Sequence, residues 1–141
     1  MEWKTITSDN LKELVEFDQQ VHPKQDWVIP AEYKFWIKQG LKIFVLVNDD
    51  RIIGCYQILE KGNEIVFHGF GVIPEMRNQG YGQHLMDKII QDYHNKTIAC
   101  KTRPNNTAMK KLLDNNQFIN KMDEIVEGGE YWSWWIRQPG Y

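Results

Sequence analysis

Residues 72–82 are the feature that most constrains what this chain can fold into. They follow a strand-like run, 65–73, and precede an apolar helix pattern that continues to Tyr93. Pro74 cannot donate to a ladder of hydrogen bonds, so the strand is expected to end there. A strand, a glycine-containing turn and a helix start in this order form the context in which glycine loops bind phosphate groups.

The loop itself has three properties that suit an anion. Gly80 and Gly82 have no side chains, so a ligand can approach the backbone closely. A helix that begins at about Gly80 leaves its first N–H groups unpaired, and its dipole favours negative charge there. Arg77 adds a planar donor fork. The loop lacks the Gly-Lys-Ser/Thr ending of a P-loop and the third glycine of a dinucleotide fingerprint.

The spacing of Arg77, Gly80 and Gly82 resembles the acetyl-CoA pyrophosphate loop of the GNAT superfamily of N-acetyltransferases. That family has Arg or Gln, two variable residues, Gly, one variable residue, then Gly or Ala. Residues 72–76 resemble the family's Val-x-Pro-x-x lead-in. The resemblance implies acetyl-CoA as co-substrate, bound by a run of six residues: Arg77, Asn78, Gln79, Gly80, Tyr81 and Gly82.

The order of predicted elements extends the resemblance to essentially the whole chain. It is strand, two helices, three strands, helix, strand, helix, two strands. Independently of the family, a meander followed by strand-helix-strand indicates a mixed sheet with helices on its faces. We therefore predict one domain over residues 1–141, of the α+β class (α/β mixed). It should have a largely antiparallel mixed sheet of six or seven strands, splayed after the central strand, and four helices.

Composition narrows the cellular context. The 141 residues fit one domain, and the interspersed charges, net -2, give no basic field for nucleic acid. The longest apolar run, 43–47, is far shorter than a membrane span, and the start has no apolar signal core. We expect a cytoplasmic protein without nucleic-acid or membrane partners. Cys55 and Cys100 lie in apolar runs without metal-ligand spacing, so we expect buried free thiols and no metal.

Acyl transfer to an amine needs an N–H group near the carbonyl oxygen. The family takes this donor from the strand before the loop, where that strand splays from its neighbour. Gly69 and Gly71 fall near the end of this strand here, and strand glycines often mark a bulge or close approach. A backbone N–H near Phe70, Gly71 or Val72 is the predicted oxyanion donor. The alternative is that these glycines mark only a twisted, poorly packed edge of the sheet.

The amine must also lose a proton. His68 lies near the place where many GNAT members have an acidic residue, and histidine titrates near neutrality. Glu64, on the same strand face by period-two alternation, is the alternative base, and water is another. The alternative that His68 is a strand residue without a catalytic role stays open.

Residues 106–118 carry the second match. Asn106 and Phe118 agree with the family, whereas Gln117 replaces its glycine and Leu113 its tyrosine, which in many members protonates the CoA thiolate. The resemblance implies that Asn106 binds the pantetheine arm and that Leu113 faces its thiol end. A helix N-cap is an equally good interpretation of Asn106. Leucine has no proton to give, so the thiolate leaves unassisted or another acid serves.

Aromatic residues cluster in the segments expected to form the acceptor side, together with acids of the last two strands. Such walls suit an amine cation. Packing in the core or between the subunits of a homodimer would also explain them, so a homodimer stays open. The aromatic set is Trp27, Trp36, Tyr131, Trp132, Trp134 and Trp135, and the acids are Asp123, Glu124, Glu127 and Glu130. The sequence thus predicts an N-acetyltransferase that acts on a small-molecule, peptide or protein amine. The alternative is a non-catalytic acyl-CoA-binding module.

Overall fold

A computed structural model describes residues 1–126 and 130–140 of the chain. In these residues one sheet has the strand order β1-β2-β3-β4-β5-β7-β6, and four α-helices cover its faces. The strands are β1 (Glu2–Ile6), β2 (Lys42–Asn48), β3 (Arg51–Lys61), β4 (Glu64–Val72), β5 (Thr97–Thr102), β6 (Ile119–Val126) and β7 (Glu130–Arg137). The helices are α1 (Leu11–Val21), α2 (Pro30–Lys38), α3 (Tyr81–Tyr93) and α4 (Thr107–Asn115). The predicted class and architecture are confirmed.

Strands β2, β3 and β4 form the expected antiparallel meander, and β1 pairs antiparallel with β2. The hairpin between β2 and β3 turns through Asp49 and Asp50, whose φ angles are 51° and 61°. Two left-handed residues in a two-residue loop match the right-handed twist of the flanking strands. The turn residues at 48–50 therefore suit this hairpin.

The sheet divides between β4 and β5, its parallel pair. Their pairing extends only from Glu64 opposite Thr97 to Val66 opposite Ala99. Beyond that point β4 continues to Val72 and β5 to Thr102, and β5 pairs there only with β7, on its other edge. The two strands therefore separate in the direction of their carboxyl ends, as the predicted splay requires.

A bulge interrupts β4 just after the splay. Gln57 of β3 lies opposite His68, but Cys55 lies opposite Gly71, so β4 advances three residues while β3 advances two. Gly69 has a φ of 58°, a conformation that side chains disfavour. The strand glycines therefore mark a bulge, as the sequence suggested.

The core lies between the sheet and the helices. It includes fully buried residues of α1, β3, β4 and α3, among them Leu14, Ile58, Ile65 and Leu85. Cys55 and Cys100 are buried free thiols, as predicted. Within the described ranges, no helix is both long and apolar enough to span a bilayer.

The residue before α1 does not cap the helix. Asn10 stands at the cap position. Its side chain does not bond to the helix and instead accepts a hydrogen bond of 2.7 Å from the N–H of Thr7. The turn before the helix thus uses the side chain that would otherwise have capped it.

Candidate active site

A cavity of about 980 Å³ opens where β4 and β5 separate. Its walls come from α1, α2, β3, β4, β5, α4, β7 and the loops between them. Three of the predicted site residues line it: His68, Phe70 and Asn106. Most of the lining belongs to residues far apart in sequence, brought together by the splay.

His68 lies on β4, directly opposite Gln57 and one residue before the bulge glycine Gly69. Its ring is open to the cavity but is surrounded by protein walls. Burial within these walls lowers the pKa of His68, and the charges of Lys101 and Lys61 lower it further. The lowered pKa favours the neutral imidazole, which has a lone pair available for a proton.

The backbone after the bulge is packed tightly from one side. A β-carbon on Gly71 would collide with Cγ1 of Val21, the last residue of α1, so only glycine admits the helix end here. Phe70 lines the cavity, and Val72 is buried at the end of the strand. Of the segment predicted to donate the oxyanion N–H, Phe70 therefore lines the cavity at the bulge, whereas Gly71 and Val72 do not.

Arg77 uses its donor fork within the protein. Nε donates to the carbonyl of Val72 at 3.0 Å, and Nη2 donates to the carbonyl of Val21 at 3.5 Å. The sequence predicted that this donor fork would face the ligand. In the structure the guanidinium instead joins the end of β4 to the end of α1. Its positive charge still lies beside the loop.

The loop before α3 is shaped by two left-handed residues, Asn78 (φ 62°) and Gly80 (φ 89°). Gly80 is the cap residue of α3 and has no side chain that could bond to the helix start. A β-carbon on Gly82 would meet only Leu112, at 3.8 Å, so packing does not require glycine there. Gln79 donates to the carbonyl of Glu75 at 3.1 Å. The uncapped N–H groups and open space suit a phosphate.

The second matched segment is joined to α3. Gln83 and Asn116 exchange side-chain hydrogen bonds of 2.9 and 3.0 Å. Asn106 accepts a bond of 3.2 Å from the N–H of Met109, so it is an N-cap as well as a cavity residue. Gln117 has a φ of 64°, and this is the position at which the family pattern has glycine.

Two predicted residues lie elsewhere. Leu113 was expected to face the thiol end of the ligand, but its side chain is 0% exposed and belongs to the core. One turn earlier on α4, Met109 lines the cavity in its place. Glu64, the alternative base, is at the start of β4, where β4 and β5 are still paired, and does not line the cavity. Four residues of strand, about 13 Å, separate it from His68.

The cavity also contains a polar group that the sequence did not reveal. The Tyr33 hydroxyl of α2 donates to Oδ2 of Asp18 in α1, and Gln57 Nε2 donates to the Tyr33 oxygen at 3.3 Å. All three side chains line the cavity, yet none is more than 5% exposed. Burial raises the pKa of Asp18 to about 6, and the bond from Tyr33 limits the rise. In a sequence, a polar residue on a helix suggests only a solvated face, so no local pattern pointed to this group.

A charged bridge closes one side of the cavity. Asp26, in the loop between α1 and α2, accepts from Nε and Nη2 of Arg103 at 3.1 and 2.5 Å. The Arg103 guanidinium stacks 4.5 Å from the ring centre of Trp132, and Lys101 Nζ lies 5.3 Å from the same ring. Of the predicted aromatic wall, Trp132 lines the cavity whereas Trp135 is buried in the core.

Several residues of the predicted acceptor wall cannot be placed. Glu127 lies outside the described residues, and so do the side chains of Asp123, Glu124, Glu130 and Tyr131. His22 is half-buried and lines the cavity. Burial, more than any neighbouring charge, lowers its pKa.

Solved structures that are similar to this chain in fold include N-acetyltransferases. The chain aligns with the ribosomal-protein-S18-alanine N-acetyltransferase of Escherichia coli at a TM-score of 0.86 and 14% identity, covering 99% of this chain and 94% of that one. A probable acetyltransferase from Staphylococcus epidermidis gives 0.80 and 16%, covering 96% and 97%. A spermidine N-acetyltransferase chimera from Vibrio cholerae gives 0.75 and 12%, covering 96% and 94%.

At such identities these structures establish the fold, which is that of the N-acetyltransferases. The sequence match is independent of them: residues 5–117 match the acetyltransferase (GNAT) family. The chain therefore belongs to the GNAT acetyltransferase family, as its loop and element order predicted. Among curated protein sequences, none gives a significant match.

Proposed function

We propose that the protein moves an acetyl group from acetyl-CoA to a primary amine by direct attack in a ternary complex. The observation that carries this proposal is the splay of β4 from β5 after Val66 and Ala99. The gap opens into the cavity of about 980 Å³, and the same strand leads to the uncapped start of α3. A thioester held by the loop at residues 77–82 can therefore reach the cavity along β4.

Each step of the reaction has a candidate group in the chain. The N–H groups at the start of α3 bind the pyrophosphate, and Asn106 binds the pantetheine arm. The amine nitrogen attacks the thioester carbon, and a backbone N–H near Phe70, Gly71 or Val72 stabilises the negative oxygen. The C–N bond forms, the C–S bond breaks, and the neutral imidazole of His68 receives the proton that the nitrogen loses.

The leaving thiolate has no acid at Leu113, which is buried and apolar. A thiol of this type has a pKa near that of cysteine, so its thiolate is a fair leaving group without protein assistance at neutral pH. The missing tyrosine is also the observation that favours the second candidate, a non-catalytic acyl-CoA-binding module. We further propose a cytoplasmic location, and a homodimer remains a prediction.

The acceptor class is open to experiment. The neighbouring structures are described as acetyltransferases of a ribosomal protein's alanine and of spermidine, so protein N-termini and polyamines both belong in the test. A panel of ethylammonium, spermidine, glycinamide and an alanine-initiated peptide is incubated with acetyl-CoA, and free thiol is measured. Amine-dependent thiol release supports the enzyme. Thermal stabilisation by acetyl-CoA without thiol release identifies the binding module. If neither thiol release nor stabilisation is observed, both candidate functions are overturned.

A further inference from the structure

Two carboxylates line the cavity among the described residues, and they are held differently. Asp26 accepts two hydrogen bonds from the guanidinium of Arg103, so its charge is neutralised by a cation. Asp18 has no cationic partner within the described parts of the chain, although it is only 2% exposed. A buried, unpaired carboxylate is costly, and in a cleft it indicates a functional group.

The chain holds Asp18 in place through one of its two oxygens. The Tyr33 hydroxyl donates to Oδ2, and Gln57 in turn fixes the Tyr33 oxygen. In the described structure Oδ1 receives no hydrogen bond, and a cation with N–H donors would supply what it lacks. Gln57 also lies directly opposite His68 on the neighbouring strand, so the two side chains share one face of the sheet.

We propose that Asp18 binds the ammonium group of the acceptor, so that the cavity selects cationic primary amines. This inference rests on the proposed function and names the residue that recognises its acceptor. An ammonium group at Oδ1 would lie on the face of the sheet that carries His68 and beside the bulge at Gly69. There the ammonium gives one proton to the neutral imidazole of His68 and becomes the nucleophile, and its second proton leaves to water as the C–N bond forms and the C–S bond breaks.

The groups that face Asp18 leave its charge uncompensated at neutral pH. Tyr33 faces it from α2, and Cys55 and Gln57 face it from β3. Burial and the charge of Asp18 raise the pKa of both Tyr33 and Cys55, so neither becomes a second anion. Above pH 6 the carboxylate is ionised and is the anion available to an ammonium ion.

The test uses the full chain with Asp18→Asn, which removes the charge while the amide oxygen still accepts from Tyr33. Asp50→Asn is the matched control, because it makes the same change at an exposed turn residue whose φ of 61° asparagine tolerates. The carboxylate resonances of carbon-13 aspartate are followed while ethylammonium chloride is added to the protein and CoA. We expect one resonance, absent from Asp18→Asn and present in Asp50→Asn, to move saturably. A stationary Asp18 resonance overturns the proposal.

Kinetics provide the second readout. With any amine of the panel that releases thiol, Asp18→Asn should raise the amine KM by about tenfold or more, the loss of one charged hydrogen bond. The stabilisation by acetyl-CoA should be unchanged. An unaltered kcat/KM for the amine overturns the assignment of Asp18. If wild-type protein releases no thiol with any amine, the proposed function fails, whereas the resonance experiment still decides whether Asp18 binds ammonium.

Discussion

The amide group of Gln57 occupies the space that a β-carbon on Gly69 would need. A β-carbon at this position would collide with Gln57 Nε2 and would lie 2.8 Å from its Cδ. The bulge in β4 and the polar group around Asp18 therefore depend on each other, because the missing side chain at the bulge makes room for the amide that fixes Tyr33.

We expect Gly69→Ala to destabilise the protein more than Gly62→Ala. Both glycines are left-handed, with φ of 58° and 63°, so each substitution carries a backbone cost of about 1–2 kcal/mol. Nothing lies within 4 Å of a β-carbon on Gly62, whereas Gly69→Ala also overpacks against Gln57, adding about 1–3 kcal/mol. Denaturant unfolding of the two variants measures the difference. Equal losses would contradict the contact with Gln57.

A double-mutant cycle identifies the partner. In a Gln57→Ala background the collision is absent, so Gly69→Ala should cost no more than Gly62→Ala does. If the extra cost persists in that background, it arises from the bulge backbone and not from the amide.

The loop before α3 is tested by two substitutions at Gly82. Gly82→Ala and Gly82→Glu should both fold at least as well as wild type, since alanine favours a helix and a glutamate suits its positive end. Only the glutamate places bulk and negative charge where the phosphates are proposed to bind. We expect acetyl-CoA to raise the melting temperature of Gly82→Ala but not of Gly82→Glu. A full shift in the glutamate variant would exclude the loop as the phosphate site.

The features that the sequence predicted well are local ones. Pro74 marked the end of β4, and the spacing from Arg77 to Gly82 placed the start of α3. Each depends on a few neighbouring residues, whose turn chemistry and periodicity act regardless of the rest of the chain. The resemblance then supplied the topology, including the splay that no local pattern encodes.

The contacts that the sequence could not predict are long-range. Tyr33 is 15 residues from Asp18 and 24 from Gln57, and only the packing of α1 and α2 on β3 brings them together. Arg77 reaches Val21 across 56 residues for the same reason. Leu113 shows the other limit: its position in the motif matched, but the motif does not say which face of α4 meets the core.

Asp18 should reduce stability at neutral pH. Its pKa rises from 3.8 in the unfolded chain to about 6 in the folded one, so the folded state favours the protonated form. The associated stability is fully present below pH 3.8 and is lost as pH rises through 6, a change of about 3 kcal/mol. We therefore expect Asp18→Asn to gain stability over wild type between those values. A constant difference at every pH, measured by denaturant unfolding, would contradict the shift.

His68→Ala should lower kcat/KM more at neutral pH than at high pH, where more of the amine is already neutral. A proportional loss at every pH would indicate a packing role. If the rate does not change at all, water is the remaining candidate for the base that accepts the amine proton, because Glu64 lies outside the cavity.

The pH profile itself can be shifted through Lys101. Its charge is one cause of the low pKa of His68, so Lys101→Met should raise that pKa and move the acid limb of kcat/KM to higher pH. Lys61→Met is the matched control. It removes the weaker of the two charges and should produce the smaller shift. If neither variant shifts the acid limb of the kcat/KM profile, that limb reports the titration of a group other than His68.

Leu113 and Met109 lie one turn apart on α4 and should respond oppositely to tyrosine. Leu113 is fully buried in the core, so Leu113→Tyr overpacks it and should cost about 1–3 kcal/mol. Met109 is half-buried and lines the cavity, where an open volume can accept a larger ring, so Met109→Tyr should leave stability nearly unchanged. Denaturant unfolding, with and without acetyl-CoA, compares them. A tolerated Leu113→Tyr that raises turnover would return this residue to the ligand side, whereas higher turnover only in Met109→Tyr would place the thiolate one turn earlier.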